Sequence, residues 1–314
     1  MRTEGGDWCM KNNKTEFALD NMLDTIIQVE KDYDALDYTD KKESNMFDFF
    51  GFSQNPFLDS VDTSFFYQIN QHAQAFLKMQ LSIENNISVG MIHGQSGMGK
   101  TLVSQIILLN LDIEKYQPVL ILVSPGMSKT SFLRELCLEL SLVKGDDKVS
   151  PSSLLRLLHD YIIELNSEGK RLVIIVDEAH FLSSDCLHIV RTISNIELPE
   201  KKLTTCILIG ENSLWNRIQR DTYSSLRSRI YQRVELKPLS EESTAEYIKF
   251  RMLVAGGSPE VFANNVFPII HKASKGICRN INKVCYNLLL EAYLNKSKVI
   301  DKKFAQLVVD NNDV

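Results

Sequence analysis

The chain has 314 residues, of which 44% are hydrophobic and 24% charged, and a formal net charge of −5. That is the balance of an ordinary globular protein, long enough for one large domain or two modest ones. It excludes a surface that is basic throughout, and no run of about 18 apolar residues marks a membrane span.

The first 45 residues carry more acids than bases and offer little to bury, so they read as a mobile acidic leader. Within it Leu19, Met22, Leu23, Ile26 and Ile27 fall on one helical face. The N-terminus lacks the apolar centre of a signal peptide. Cys9, Cys137, Cys186, Cys206, Cys278 and Cys285 follow no zinc or CxxC spacing. They read as free thiols of a reducing compartment, and a cytoplasmic location is expected.

From about residue 46 strands alternate with helices. "ISVGMIH" predicts a strand, followed by a glycine-rich turn and the helix "KTLVSQIILLNL". "PVLILV", "RLVIIV", "TTCILIG" and "YQRVEL" predict four more strands, with amphipathic helices in "KTSFLRELCLELSL" and "SSLLRLLHDYIIELN". Strands that are apolar end to end indicate a parallel sheet covered on both faces. After Pro238 four helical patterns follow: "SEESTAEYIKFRMLVAG", "PEVFANNVFPIIHKAS", "NINKVCYNLLLEAYL" and "DKKFAQLVVDN". The expected organisation is a leader over 1–45, an α/β core over 46–237 and a small all-helical domain over 238–314.

Two motifs carry chemistry. Gly94, Gln95, Ser96, Gly97, Met98, Gly99, Lys100 and Thr101 fit G-x-x-x-x-G-K-[ST] between a strand and a helix. Glycines let backbone N–H groups turn inward around phosphates, and the helix N-terminus adds partial positive charge. Lys100 is positioned to reach the β- and γ-phosphates of ATP, and the Thr101 hydroxyl to ligate Mg²⁺. The second motif is Asp177-Glu178-Ala179-His180, after the apolar "RLVIIV". Asp177 is the second acid that a phosphate-loop protein needs for Mg²⁺, and Glu178 is the base for the attacking water. His180 either senses the nucleotide or is a satisfied polar residue. The tetrapeptide also labels a class of helicases, but those carry two parallel-sheet cores, and too little chain follows His180 for a second one.

The order of elements resembles the AAA+ P-loop ATPases, with a helical lid after the core. More narrowly, the chain resembles the ExeA/GspA-type (MshM-type) ATPases of bacterial secretion and pilus assembly, which are related to the TniB/TnsC-type transposition ATPases. The matching segments are "FFGFSQNPF" with "DTSFFYQINQHAQAF" and its His72, "DEAHFLSSDCLHIVRTISNIE", "LRSRIYQRVELKPLSEESTAEYIKFRMLVAGG" and "SKGICRNINKVC". In the last, Cys278 replaces the proline of Gly-Ile-Pro-Arg-x-Ile-Asn. The resemblance implies that Arg279 is the lid arginine that touches the γ-phosphate; the plainer alternative is an arginine paired with a lid carboxylate. It implies that Arg229 or Arg233 acts as a finger on a neighbour's ATP, with Arg227 as competitor. It leaves Asn212 as the polar sensor after the fourth strand, where Glu211 departs from the family's glutamine, and brings Asn195 near the site. An ATP-promoted homo-oligomer and a protein partner from an envelope or pilus assembly system are implied.

Further readings follow. Larger family members continue into a membrane span and a wall-binding domain; this chain ends at the lid, so no anchor is expected of it. Under the alternative, a transposition regulator, duplex DNA is the partner, and Lys201, Lys202, Lys296, Lys298, Lys302 and Lys303 are the candidate basic patch. A third possibility is an ATP-binding switch without rapid turnover.

Overall fold

The computed structural model describes residues 45–59, 62–66, 70–145 and 148–311. The expected acidic leader, its candidate helix and Cys9 lie outside the described residues. Met46–Val314 cluster as one compact unit. The other five cysteines are buried free thiols.

All five expected strands form, as β1 (Val89–Gly94), β2 (Tyr116–Leu122), β3 (Arg171–Asp177), β6 (Thr204–Gly210) and β7 (Ile230–Leu236). They pair in parallel in the order β2-β3-β6-β1-β7. Every residue of β1, β3 and β6 is buried, which explains their unbroken apolar runs. Edge strand β2 tolerates Pro118, whose missing N–H would break the ladder in a central strand.

Alternate residues of each strand enter different cores. Met91, Ile174, Val176 and Leu208 pack with Phe132, Leu136, Leu158, Ile162 and Leu187. Those last five come from helices α4 (Lys129–Glu139), α5 (Pro151–Ser167) and α6 (Ser184–Ile193). Ile92, Val173, Ile175, Ile207 and Ile209 face the opposite way. They pack with Ala75, Met79 and Ile83 of α2 (Asn70–Glu84) and Val103 and Ile107 of α3 (Lys100–Leu109). Each such buried aliphatic contributes about 1.5–3 kcal/mol. A short antiparallel hairpin, β4 (Glu197–Leu198) with β5 (Lys201–Lys202), was not expected; Lys202 pairs there with Glu197.

Beyond β7 come α9 (Glu241–Val254), α10 (Phe267–Ser274), α11 (Cys278–Leu294) and α12 (Lys302–Asn311). Between β6 and β7 lie the short α7 (Asn212–Ile218) and α8 (Ser224–Arg227). "PEVFANNVFPIIHKAS" is not the single helix expected. It breaks into 3₁₀ turns at Pro259–Val261 and Asn264–Val266 before α10 begins. Pairing with the loop before α12 outcompetes the helix: Ile300 N–H donates to Val261 O, and Ala263 N–H donates to Ile300 O. Pro268 is tolerated in the first turn of α10, where no N–H is needed. A third core joins these helices and also takes in Phe50, Phe52, Phe57 and Phe65 from the N-terminal segment, of which Phe50 closes α1 (Met46–Phe50).

Candidate nucleotide-binding site

β1 ends in Gly94 because nothing larger fits: a Cβ there would lie 2.5 Å from Leu236 O of β7. The chain then turns through Gly97 (φ +76°) and Gly99 (φ +82°), left-handed conformations that cost a side-chain-bearing residue about 1 kcal/mol or more. Met98 between them is fully buried in the core beneath α2 and α3. Lys100 opens α3, and its Nζ donates to Gly94 O (3.1 Å) and Gln95 O (2.9 Å). Burial lowers the Lys100 pKa, while the carboxylates of Glu178, Glu211 and Asp177 oppose that shift and Arg279 adds to it. No side chain caps α3, so its first-turn N–H groups face the loop.

Asp177 closes β3 and is 1% exposed; its Oδ1 accepts the Glu178 N–H at 2.8 Å. Glu178 stands at φ +54°, a strained position for a residue with a side chain. Its Oε2 lies 3.2 Å from His180 Nδ1. β6 lies between β1 and β3, and a Cβ on its terminal Gly210 would come 3.0 Å from His180 N, so the two strand ends pack closely. Asn212 turns from the loop to His93: its Oδ1 accepts from Nδ1 at 2.8 Å. The residue beside it whose charge is felt at Lys100 is Glu211.

Arg279, in the first turn of α11, reaches the loop from the helical side. Its N–H donates to Gly97 O (3.1 Å), Nη1 to Ser96 Oγ (3.3 Å) and Nε to Asp59 Oδ2 (2.9 Å). A Cβ at Gly97 would sit 2.8 Å from the Arg279 Cβ, so glycine lets helix and loop touch. The segment that leads into Asp59 is bonded by Arg251 of α9. That buried guanidinium donates to Pro56 O, to Leu58 O (3.1 Å) and to Tyr247 Oη (3.0 Å), and lies over the Phe65 ring. Cys278, in the proline's place, is buried and its thiol pKa is pushed up to about 12 by desolvation, so it stays protonated.

Ser96, Lys100, Thr101, Glu178 and Arg279 line one pocket. It shares Asp59, Arg279 and Asn282 with an adjoining, mainly apolar cavity of about 450 Å³ walled by Asn55, Phe57, Leu58, Lys283 and Tyr286. The remaining expected residues lie elsewhere. Arg229 precedes β7, and Ile230 pairs with Val89, the β1 residue farthest from the loop. Arg229 Nε donates to Asn195 Oδ1 (2.6 Å), so those two meet each other outside the pocket. Arg233 pairs with Met91 in register, and its guanidinium lies 4.3 Å from the Trp215 ring centre. Arg227 bonds Gln219 O. Lys201 and Lys202 form β5, while Lys296, Lys298, Lys302 and Lys303 lie at the end of α11, in the following loop and at the start of α12. Asp59 and Arg251 were not singled out from the sequence; each acts through partners nearly 200 residues away or more, a separation at which no local pattern operates.

Residues 84–218 match a family model described as an AAA domain. The chain is 31% identical over 252 residues to General secretion pathway protein A of Aeromonas hydrophila, covering 80% of this chain and 46% of that protein. It thus spans about half the length of the curated relative it matches. Among solved structures, the Aeropyrum pernix ORC2 protein (ADPNP-ADP complexes) superposes with a TM-score of 0.61 at 12% identity, over 83% of this chain and 72% of that one. Drosophila ORC bound to DNA gives 0.63 at 15% identity, over 87% and 68%. These likenesses concern the fold. Among the described residues no helix is long and apolar enough to cross a membrane.

Proposed function

With an AAA+ fold and a resemblance to the ExeA/GspA-type ATPases as premises, we propose that this chain binds and hydrolyses ATP as a homo-oligomeric assembly factor for a secretion or type IV pilus system. The observation that carries the reading is convergence: Lys100 with Thr101, Glu178 and Arg279 come from three places in the chain and line one pocket. In this reading residues 46–237 are the ATPase core and 238–314 the lid. The triphosphate lies along residues 94–101, with Lys100 Nζ moving from the Gly94 and Gln95 carbonyls to the phosphates. Glu178 takes the proton of the attacking water, and Arg279 bears on the terminal phosphate from the lid. The base enters the cavity beside Phe57 and Tyr286.

A hydroxyl at Thr101 and a buried carboxylate at Asp177 form the hard oxygen donor set that Mg²⁺ prefers. When bound there, Mg²⁺ neutralises charge on the phosphate oxygens. A cytoplasmic location belongs to this reading, since ATP is supplied there and free cysteines are usual in that compartment.

The test is a pair of substitutions read by nucleotide binding and phosphate release. Lys100→Ala removes the cation facing the phosphates and is expected to abolish binding. Glu178→Gln, nearly isosteric but a poor base, is expected to retain binding and slow turnover by about 10²–10⁴-fold. Normal turnover by the Glu178 variant would remove its assignment as base.

A further inference from the structure

We propose that His72 is a positioning residue that fixes the phosphate loop in its binding form by holding the carbonyl of Met98. The inference rests on reading residues 94–101 as the phosphate site. α2 presents Ala75, Met79 and Ile83 to the core beneath the loop, at helical spacing. His72 occupies the same stripe one turn earlier, as a polar side chain only 4% exposed. Burying such a group without a partner costs energy, so what it bonds to matters.

It bonds to the loop. Nε2 lies 2.7 Å from Met98 O. A carbonyl only accepts, so Nε2 carries the proton and donates. Nδ1 is buried with no partner among the described residues, which is the state of a neutral imidazole in this tautomer. Burial also lowers the His72 pKa, holding the ring neutral.

The geometry of the peptide turns this bond into an aiming device. In a trans peptide the C=O and the next N–H point in opposite directions. The Met98 side chain is locked in the core and its carbonyl is drawn to His72, so the Gly99 N–H is directed away from α2, toward the inside of the loop. Left-handed glycines at 97 and 99 let this plane rotate on either side, and without an anchor they would let it rotate back. Gly99 also packs against the imidazole: a Cβ there would lie 3.2 Å from Nε2.

The experiment compares His72→Gln, His72→Asn and His72→Leu in the full chain, using calorimetric binding of ATP and ADP. The glutamine amide extends as far as Nε2 and restores the donor; the asparagine amide matches Nδ1 and falls short; leucine has none. Expected is a loss of about tenfold or more in affinity for Asn and Leu, the worth of one hydrogen bond, and about threefold or less for Gln. If the Leu variant fails to fold, Asn against Gln decides, since both are polar and of similar size. Nitrogen chemical shifts of the His72 ring supply a reading independent of nucleotide, with the proton expected on Nε2. Equal ATP affinity in folded His72→Asn and wild type, or a proton on Nδ1, would overturn the proposal. Failure of the wild type itself to bind ATP would instead overturn the reading of the loop.

Discussion

Arg279 makes two side-chain bonds, and they differ in what they resist. Its link to Ser96 belongs to the loop, whereas its ion pair with Asp59 ties it to the N-terminal segment. Both members of that pair are more than half exposed, so the pair is worth about 0–1 kcal/mol. That is small enough for a phosphate to displace. Asp59→Asn removes the competitor and is expected to tighten ATP binding by about two- to fivefold, the factor corresponding to that energy. Titration of ATP and ADP checks it; weaker ATP binding would mean that Asp59 places Arg279 rather than competing for it. The plainer of the two readings of Arg279 from sequence is a pair with a lid carboxylate. The carboxylate it pairs with is Asp59 of the N-terminal segment, not one of the lid, and the same arginine lines the loop pocket.

At the level of elements, β1, β3 and β6 were legible because each is buried on both faces, and burial writes an unbroken apolar run into the chain; β7 buries only Val234 and Leu236, so its signal is alternation. The glycine turn and the Asp-Glu pair were legible because their spacing is local. The 197–202 hairpin was not, since two-residue strands carry no periodicity, nor was the break before α10, which depends on Ile300. Likewise the N-terminal segment gives no local sign that Arg251 will hold it. Arg251 joins α9 to residues 56–58 through two carbonyls, and so fixes the segment whose Asn55, Phe57 and Leu58 wall the candidate base cavity. Arg251→Met leaves both carbonyls and the Tyr247 hydroxyl without their donor. Hydrogen bonds from a charged group contribute about 1.5–3 kcal/mol each, and part is regained by water, so a loss of about 2–4 kcal/mol is expected in urea unfolding. Arg251→Lys should recover little, because an ammonium has no fork to span two carbonyls. A Met variant within about 1 kcal/mol of wild type would show that the hydrophobic cluster alone holds the segment.

For the whole molecule the decisive fact is a distance along β1. Arg229 precedes Ile230, the partner of Val89, and the phosphate loop begins at Gly94, so at least five strand steps separate them, roughly 17 Å at the usual rise. An arginine side chain cannot cross that gap, and Arg229 therefore cannot serve the pocket of its own chain. Arg233 is closer in register, but its guanidinium lies over Trp215, itself stacked on His93. If either arginine acts on ATP, it acts on the ATP of another copy, with Arg229 the one expected. The Arg229→Ala chain should then bind ATP yet hydrolyse it about 10³-fold or more slowly, the scale of a missing finger. Mixing it with Lys100→Ala chains, which keep the arginine but lack a working pocket, should restore part of the activity, because some interfaces then pair an intact pocket with an intact arginine. Sedimentation run alongside should show self-association promoted by ATP. Added duplex DNA is expected to leave turnover unchanged at moderate salt: the candidate lysines are divided between β5 and the α11–α12 region, Lys202 is already paired with Glu197, and the net charge is −5. A monomer at every ATP concentration together with no rescue would eliminate the trans arginine. ATP-dependent filaments on DNA would move the assignment from envelope assembly to the transposition-type reading.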